Sequence, residues 1–187
     1  MTSATILYKM ELIGASLPNP ENDSSNFEKV VDFNQQFGVL QTKTLVPKTD
    51  IIRTDPKQVE FCLKLIREEC NELEQAVKDD DFVEVVDALT DILYVVYGMG
   101  ARMGVNMDAA FRAVHENNMS KLCKTEEKAQ RSVAEYEVTK EKTGYDTPAY
   151  RRAPDGIHWV VYNESTKKIL KSVEWKPVDL KGVCGQN

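Results

Sequence analysis

The chain has 187 residues, 42% of them hydrophobic, which suits one packed domain with extensions. Thirty acidic against 24 basic side chains leave a net charge of −6, which argues against unaided binding to a nucleic-acid backbone, because that requires a basic surface. Four scattered cysteines without a C-x-x-C pair, and only two histidines, argue against a zinc site and suit a reducing, cytoplasmic setting.

Residues 1–23 are expected to form an extension, with a short strand at Ile6–Ile13 broken by Pro18 and Pro20, and no secretory signal. A first helix is predicted from Ser25, where Ser25 and Glu28 spell a capping box and Phe27, Val30, Val31 and Phe37 recur at helical spacing. A loop over residues 38–55 follows. Asp55-Pro56 then reads as N-cap and first helical residue of a second helix reaching about Lys78, with an apolar stripe of Cys62, Leu65, Ile66, Leu73, Ala76 and Val77. Asp79-Asp80-Asp81 breaks the pattern. A third helix is predicted from Phe82 to Met103, capped by Gly104, and a fourth from Asp108 to about Lys121. The short links predict antiparallel neighbours. The longest apolar run, Ile92–Met99, is too short to span a bilayer. Beyond Thr125 the charged stretch Glu126–Lys142 reads as a further helix and Gly144–Pro154 as a loop. Ile157–Tyr162 and Lys168–Val173 read as a hairpin turning at Asn163–Thr166, packed by Trp159, Trp175 and Tyr162.

The chemistry lies in acids placed where apolar residues belong. At about 100° per residue, Glu69 falls near the centre of the second helix's apolar stripe, Glu72 at its edge and Glu68 one step further round. Glu69 and Glu72 are three apart, so both side chains reach one point beside the helix. On the third helix Glu84, Asp87 and Asp91 form a ridge, and Asp91 leads into Ile92–Tyr97, apolar all round and therefore expected to be buried. A buried carboxylate needs a partner or a metal. Acids on the inner faces of two antiparallel helices offer only oxygen ligands, which select hard cations such as Mg²⁺ or Mn²⁺. The alternative, a solvated acidic face, holds for Glu74, Asp79, Asp80 and Asp81 and stays open for Glu68 and Glu84. A carboxylate-bridged di-iron bundle would require Glu-x-x-His motifs, and neither His115 nor His158 sits in one.

Glu68-Glu69-x-x-Glu72, then Asp87-Ala-Leu-Thr-Asp91-Ile-Leu-Tyr-Val-Val-Tyr-Gly98, then His115-Glu-Asn-Asn118-Met-Ser-Lys121, resemble in that order the all-α nucleoside triphosphate pyrophosphohydrolases. The likeness is to the short MazG-like and phosphoribosyl-ATP pyrophosphohydrolase-like proteins of bacteria and phages. It covers about Phe27 to Lys121 and, more loosely, Lys168–Leu180. The resemblance implies an antiparallel helical bundle over residues 24–125, followed by a helix and β-hairpin extension over 126–187. It further implies Mg²⁺-dependent conversion of a nucleoside triphosphate to the monophosphate and pyrophosphate, as in nucleotide-pool housekeeping. Mg²⁺, with Mn²⁺ as a substitute, would be bound by Glu69, Glu72, Asp87 and Asp91. Relatives carry Glu-x-x-Asp on the later helix, where this chain has Ala88 before Asp91, so Glu84-x-x-Asp87 is a second register with Glu84 as reserve ligand.

Glu68 or Glu69 is the implied base, and Asn118 with Lys121 the implied phosphate contacts, against the alternative of a frayed polar helix end. Asn34 lies on the first helix's apolar stripe and either reads a nucleobase edge, beside Phe33 or Phe37, or bonds within the core. The resemblance and the widely apolar third helix imply a homodimer or homotetramer. Two other functions remain in view: phosphoribosyl-ATP hydrolysis, and a non-catalytic oligomerisation module whose acids hold a structural cation.

Overall fold

The computed structural model describes residues 24–186, so the N-terminal extension and its expected strand lie outside the described residues. In order come α1 (Asn26–Gln36), α2 (Ile51–Thr54), α3 (Pro56–Lys78), α4 (Phe82–Arg102), α5 (Met107–Met119), α6 (Glu126–Thr143), β1 (Pro148–Arg152) and β2 (Trp159–Asn163). The fold is mostly helical with a small C-terminal antiparallel hairpin, as the sequence pattern and the resemblance anticipated.

Local chemistry sets the helix ends. Ser25 Oγ accepts from the Glu28 amide while Glu28 reaches back to the Ser25 amide, closing the capping box of α1. Asp55 accepts from the Gln58 amide and Pro56 opens α3. Asp81 Oδ1 accepts from the Val83 and Glu84 amides and so starts α4. Gly104 has φ +74° and is buried, and a Cβ there would stand 1.9 Å from the Val46 carbonyl oxygen, so only glycine fits. Within the expected loop over residues 38–55, Ile51–Thr54 makes the single turn α2 around the buried Ile51.

Two compact units emerge by packing. One takes the described residues up to Leu45 together with Ile51–Arg102; the other takes Val46–Asp50 and Met103 onward. Packing thus groups α5 with the C-terminal segment, whereas the sequence pattern placed it with the preceding helices.

In the first unit α3 and α4 run antiparallel. The Arg102 guanidinium lies over the Phe61 ring at 5.5 Å at one end, and at the other Gln75, Ala76, Glu84 and Ala88 line one cleft. Small buried residues, Cys62 and Ala76 against Ala88 and Ala101, let the two backbones approach. α1 packs on α4 through Phe27 against Tyr97 (5.8 Å) and Phe33 edge-on to Tyr94 (5.5 Å). The large side chains of α4 correct one expectation. Phe82, Val83, Val86, Leu89 and Leu93 are exposed, Leu93 at 53%, so among the described residues this side of α4 is left uncovered. Val77 and Phe37 are also exposed, outside the stripes to which their spacing assigned them.

The second unit closes around Cys123, Ala129, Val161 and Leu170, with Val133, Tyr136, Tyr145, Tyr150 and Trp159 packed against them. Full burial of a Leu or Val side chain contributes about 1.5–3 kcal/mol. The hairpin differs from expectation in its partner. β2 pairs with the upstream Pro148–Arg152, in register Tyr150↔Val161, and Lys168–Val173 contributes only the isolated bridge Tyr162↔Ile169. The turn is Pro154-Asp155-Gly156, where Asp155 Oδ1 accepts from the Ile157 and His158 amides and Gly156 adopts φ +70°. Trp159 packs on Tyr150 at 5.6 Å in the hairpin as expected, but Trp175 leaves it and donates to Asn117 of α5.

Candidate functional site: an acidic helix pair

Glu69 stands half-buried on α3, and its carboxyl is held above the ordinary carboxylate range. Desolvation between the helices is the first cause. Repulsion from Glu72, Asp91, Glu68 and Asp87 adds to it. Five acids from two helices therefore share one electrostatic neighbourhood, all within the first unit. Asp91 is half-buried; Glu68, Glu72, Asp87 and Glu84 are exposed. The expectation that Asp91 enters a fully buried helix is corrected, because the side of α4 carrying Leu89 and Leu93 is open.

The acids do not all behave alike. Glu68 pairs with Lys64 one turn earlier at 3.4 Å, an ordinary exposed helix-surface ion pair. Asp79 accepts two hydrogen bonds from the Gln75 amide at 2.9 and 3.0 Å, and Asp81 caps α4, so both serve the α3–α4 turn. Glu84 lies further along α4, where with Glu72 and Asp87 it lines an acid-walled cleft of about 290 Å³. The neighbours that raise Glu69 include Asp91 and Asp87 on α4. Among the described residues no three acid, cysteine or histidine side chains already converge at metal-binding distance. The donor set itself is all carboxylate oxygen, and its mutual repulsion is what a divalent cation relieves, so it fits a hard metal ion chemically.

Asn34 is buried at 5% exposure and donates to the Val30 carbonyl oxygen at 2.8 Å; Gly98 of α4 leaves room for it, its Cβ position lying 3.9 Å from Asn34 Nδ2. This is the core-bonded arrangement of the two foreseen for that residue. Beside it, Asn26, Lys29, Val30, Thr90, Leu93, Tyr94 and Tyr97 line an apolar cleft of about 150 Å³ between α1 and α4. Spacing on either helix alone could not show this cleft. Burial pushes the Tyr94 hydroxyl pKa up.

Asn118 and Lys121 belong to the second unit, at the end of α5, where Lys121 Nζ donates to Asn118 Oδ1 at 2.7 Å. The three-residue spacing brings the two side chains within hydrogen-bonding distance of each other. Asn117, not singled out by sequence, donates to the Lys176 carbonyl oxygen at 2.7 Å and accepts from Trp175 Nε1 at 3.1 Å. No local pattern could reveal a contact across 58 residues.

Residues 41–118 match the family model described as phosphoribosyl-ATP pyrophosphohydrolase. This segment therefore carries a domain of the MazG-like nucleotide pyrophosphohydrolase superfamily, and the resemblance read from the three acidic and polar phrases is borne out. The match covers less than half of the chain but takes in α3 and α4 whole, with every acid of the cluster; Asn34 and Lys121 lie outside it. A curated relative, uncharacterized protein L479 of Acanthamoeba polyphaga mimivirus, is 26% identical over an alignment covering 82% of this chain and 93% of its own. The domain supports a nucleotide pyrophosphohydrolase-type activity, a class that generally uses divalent metal ions. Among the described residues no helix is long and apolar enough to cross a membrane.

Proposed function

We propose that the chain is a Mg²⁺-dependent nucleoside triphosphate pyrophosphohydrolase, yielding the nucleoside monophosphate and pyrophosphate. The supporting observation is the raised Glu69 carboxyl, surrounded by four acids from two antiparallel helices inside a segment of pyrophosphohydrolase type. Glu69, Glu72, Asp87 and Asp91 would hold Mg²⁺, or Mn²⁺ in its place. Bound there, the metal would neutralise charge on the triphosphate. Glu84, absent from the neighbours that raise Glu69, stands in reserve.

Glu69 is the better candidate base. It stands at the centre of the acid cluster between the two helices, while the Glu68 carboxylate is engaged by Lys64. Water oxygen would form the new bond to phosphorus as the anhydride bond joining the monophosphate and pyrophosphate parts breaks, and the water proton would pass to the carboxylate. Asn118 and Lys121 would contact phosphate oxygens, the lysine as a point charge. The apolar α1–α4 cleft is the candidate contact for the base, with the buried Asn34, one turn beyond Val30, as the candidate residue to read its edge. The open side of α4 supports a homodimer or homotetramer, which light scattering at micromolar concentration tests; a clean monomer there refutes it.

A panel of nucleotides and phosphoribosyl-ATP, assayed with Mg²⁺ for pyrophosphate against orthophosphate, tests the reaction. Pyrophosphate from nucleotides is the expected product. Turnover of phosphoribosyl-ATP alone would transfer the reading to that substrate, and no turnover would favour a non-catalytic module with a structural cation. Excess chelator is expected to abolish hydrolysis and Mg²⁺ or Mn²⁺ to restore it; full activity in chelator would overturn the metal mechanism.

A further inference from the structure

From Leu170 to Lys176 the chain is anchored at most of its residues within the second unit. Leu170 lies in its core at 2% exposure. The Lys171 amide donates to the Tyr136 hydroxyl at 3.2 Å, and the Val173 amide to Ser132 Oγ at 2.9 Å. Glu174 pairs with Lys128 at 2.8 Å. These contacts carry the strand of chain across α6 to the C-terminal end of α5, where it meets one side chain, Asn117. The amide of Asn117 is used at both ends: its oxygen takes the indole N–H of Trp175, and its nitrogen donates to the Lys176 carbonyl. Lys171 Nζ lies 3.6 Å from the centre of the Trp175 ring and holds the ring in place.

Asn117 does not point where Asn118 points. On a helix, consecutive residues project about 100° apart, so the clasp grips α5 through Asn117 while Asn118 projects from another side, where Lys121, in the turn just past the helix, donates to it. The last turn of an isolated helix frays. Here Asn117 is tied across 58 residues of sequence to Trp175, Ser120 Oγ donates back to the Asn117 carbonyl at 2.7 Å, and the Lys121 ammonium already meets Asn118 Oδ1.

We propose that Asn117, Trp175 and the Lys176 carbonyl form a positioning clasp that holds the Asn118–Lys121 end of α5 ready to take a polyphosphate. This rests on the phosphate-contact role given to Asn118 and Lys121 above. The clasp adds no contact to the ligand; it removes the ordering that binding would otherwise require of a frayed helix end. The C-terminal extension is thereby part of the substrate-holding apparatus of the enzyme.

Two readouts test this on the full chain. The first is binding of inorganic tripolyphosphate with Mg²⁺ by calorimetry, which needs no turnover. Asn117→Ala, and the milder Trp175→Phe, which keeps the ring but lacks the N–H, are expected to weaken binding about tenfold and severalfold. Lys121→Ala is expected to weaken it about tenfold, and adding Asn117→Ala to it to change little more, because the clasp acts through that lysine. The second readout is KM against kcat for the preferred triphosphate: both clasp variants should raise KM and leave kcat within about twofold. Unchanged tripolyphosphate binding in Trp175→Phe, or Asn117→Ala and Lys121→Ala effects that multiply in full, would overturn the clasp. Wild-type protein that binds tripolyphosphate through the clasp and Lys121 yet hydrolyses no triphosphate would overturn the proposed reaction and leave the clasp standing.

Discussion

The two units of this chain solve opposite problems. Among the described residues the first carries fourteen acidic side chains against eight basic ones, and the second thirteen against fifteen. The first buries mainly small residues at the α3–α4 contact, Cys62, Ala76, Ala88 and Ala101, and exposes large ones, Phe82, Val83, Leu89 and Leu93. The second buries Val161 and Leu170 and satisfies the fully buried Asn163 completely. The Asn163 oxygen accepts from the Thr147 amide, and its nitrogen reaches Asp146, Ser165 and Thr166. One region keeps repelling charges together and leaves a row of large apolar side chains open along α4; the other ties its buried polar groups into hydrogen bonds around a closed core, while Phe111, Val138 and Ile157 stay exposed on its surface. Electrostatic strain and open surface in a folded chain mark where ligands act, and closure marks what supports them.

The sharpest way to break this contrast is to remove the strain. Replacing Glu69, Glu72, Asp87 or Asp91 by its amide is expected to lower turnover about a thousandfold or more, roughly 4 kcal/mol at 1.36 kcal/mol per decade, with the fold retained. Metal-free stability should rise slightly, since each amide removes a repelling charge, as thermal unfolding in chelator will show. Glu84→Gln is expected to have a weak effect. An inactive Glu84→Gln beside a fully active Asp91→Asn would move the ligands one turn back to Glu84 and Asp87.

Closure is tested by paired truncations. Leu170→Ala should cost about 3 kcal/mol in urea unfolding, as a cavity in a closed core does. Leu93→Ala, half-exposed, should cost less than about 0.5 kcal/mol in a monomer. A large Leu93 effect that grows with protein concentration would show that another copy covers α4.

The smallest expected effect lies in the polar network. The Asp146 carboxyl is held down to about 2, first by the Ser165 hydroxyl and then by the Asn163 amide. Because the folded value lies below the ordinary 3.8, its stabilisation is complete above about pH 4 and is lost as pH falls toward 2. Asp146→Asn should remove that part of the acid dependence, read by tryptophan fluorescence between pH 5 and 2. An unchanged acid profile would show that the network contributes nothing through charge.

The readable parts of the molecule were those set by neighbours in sequence. The Ser25–Glu28 box, Asp55-Pro56 and the three-residue spacing of Glu69 and Glu72 each follow from one turn of helix. What escaped depended on distant contacts. β1 contains Tyr150-Arg151-Arg152, without the alternation of a half-buried strand, and its arginines lie over Tyr162 and Trp159 at 5.7 and 5.2 Å. Its turn, Pro154-Asp155-Gly156, was a local signal that outweighs the Asn163–Thr166 alternative only once the pairing is known. The apolar run of α4 showed that the helix seeks cover, but periodicity does not distinguish cover by the same chain from cover by something else. The Asn117 clasp left no local trace at all.

Gly104 has a consequence for dissecting the protein. Its backbone lies against Val46, and the Lys48 amide donates to the Met103 carbonyl oxygen at 2.9 Å, so five residues from before α2 complete the unit that otherwise starts at Met103. The chain thus passes from one unit to the other three times, at Leu45, Asp50 and Arg102. Neither unit is a contiguous stretch of gene. A single protease cut or stop codon cannot release either one whole, and a fragment beginning at Met103 would expose the Gly104 backbone where the Val46 segment belongs.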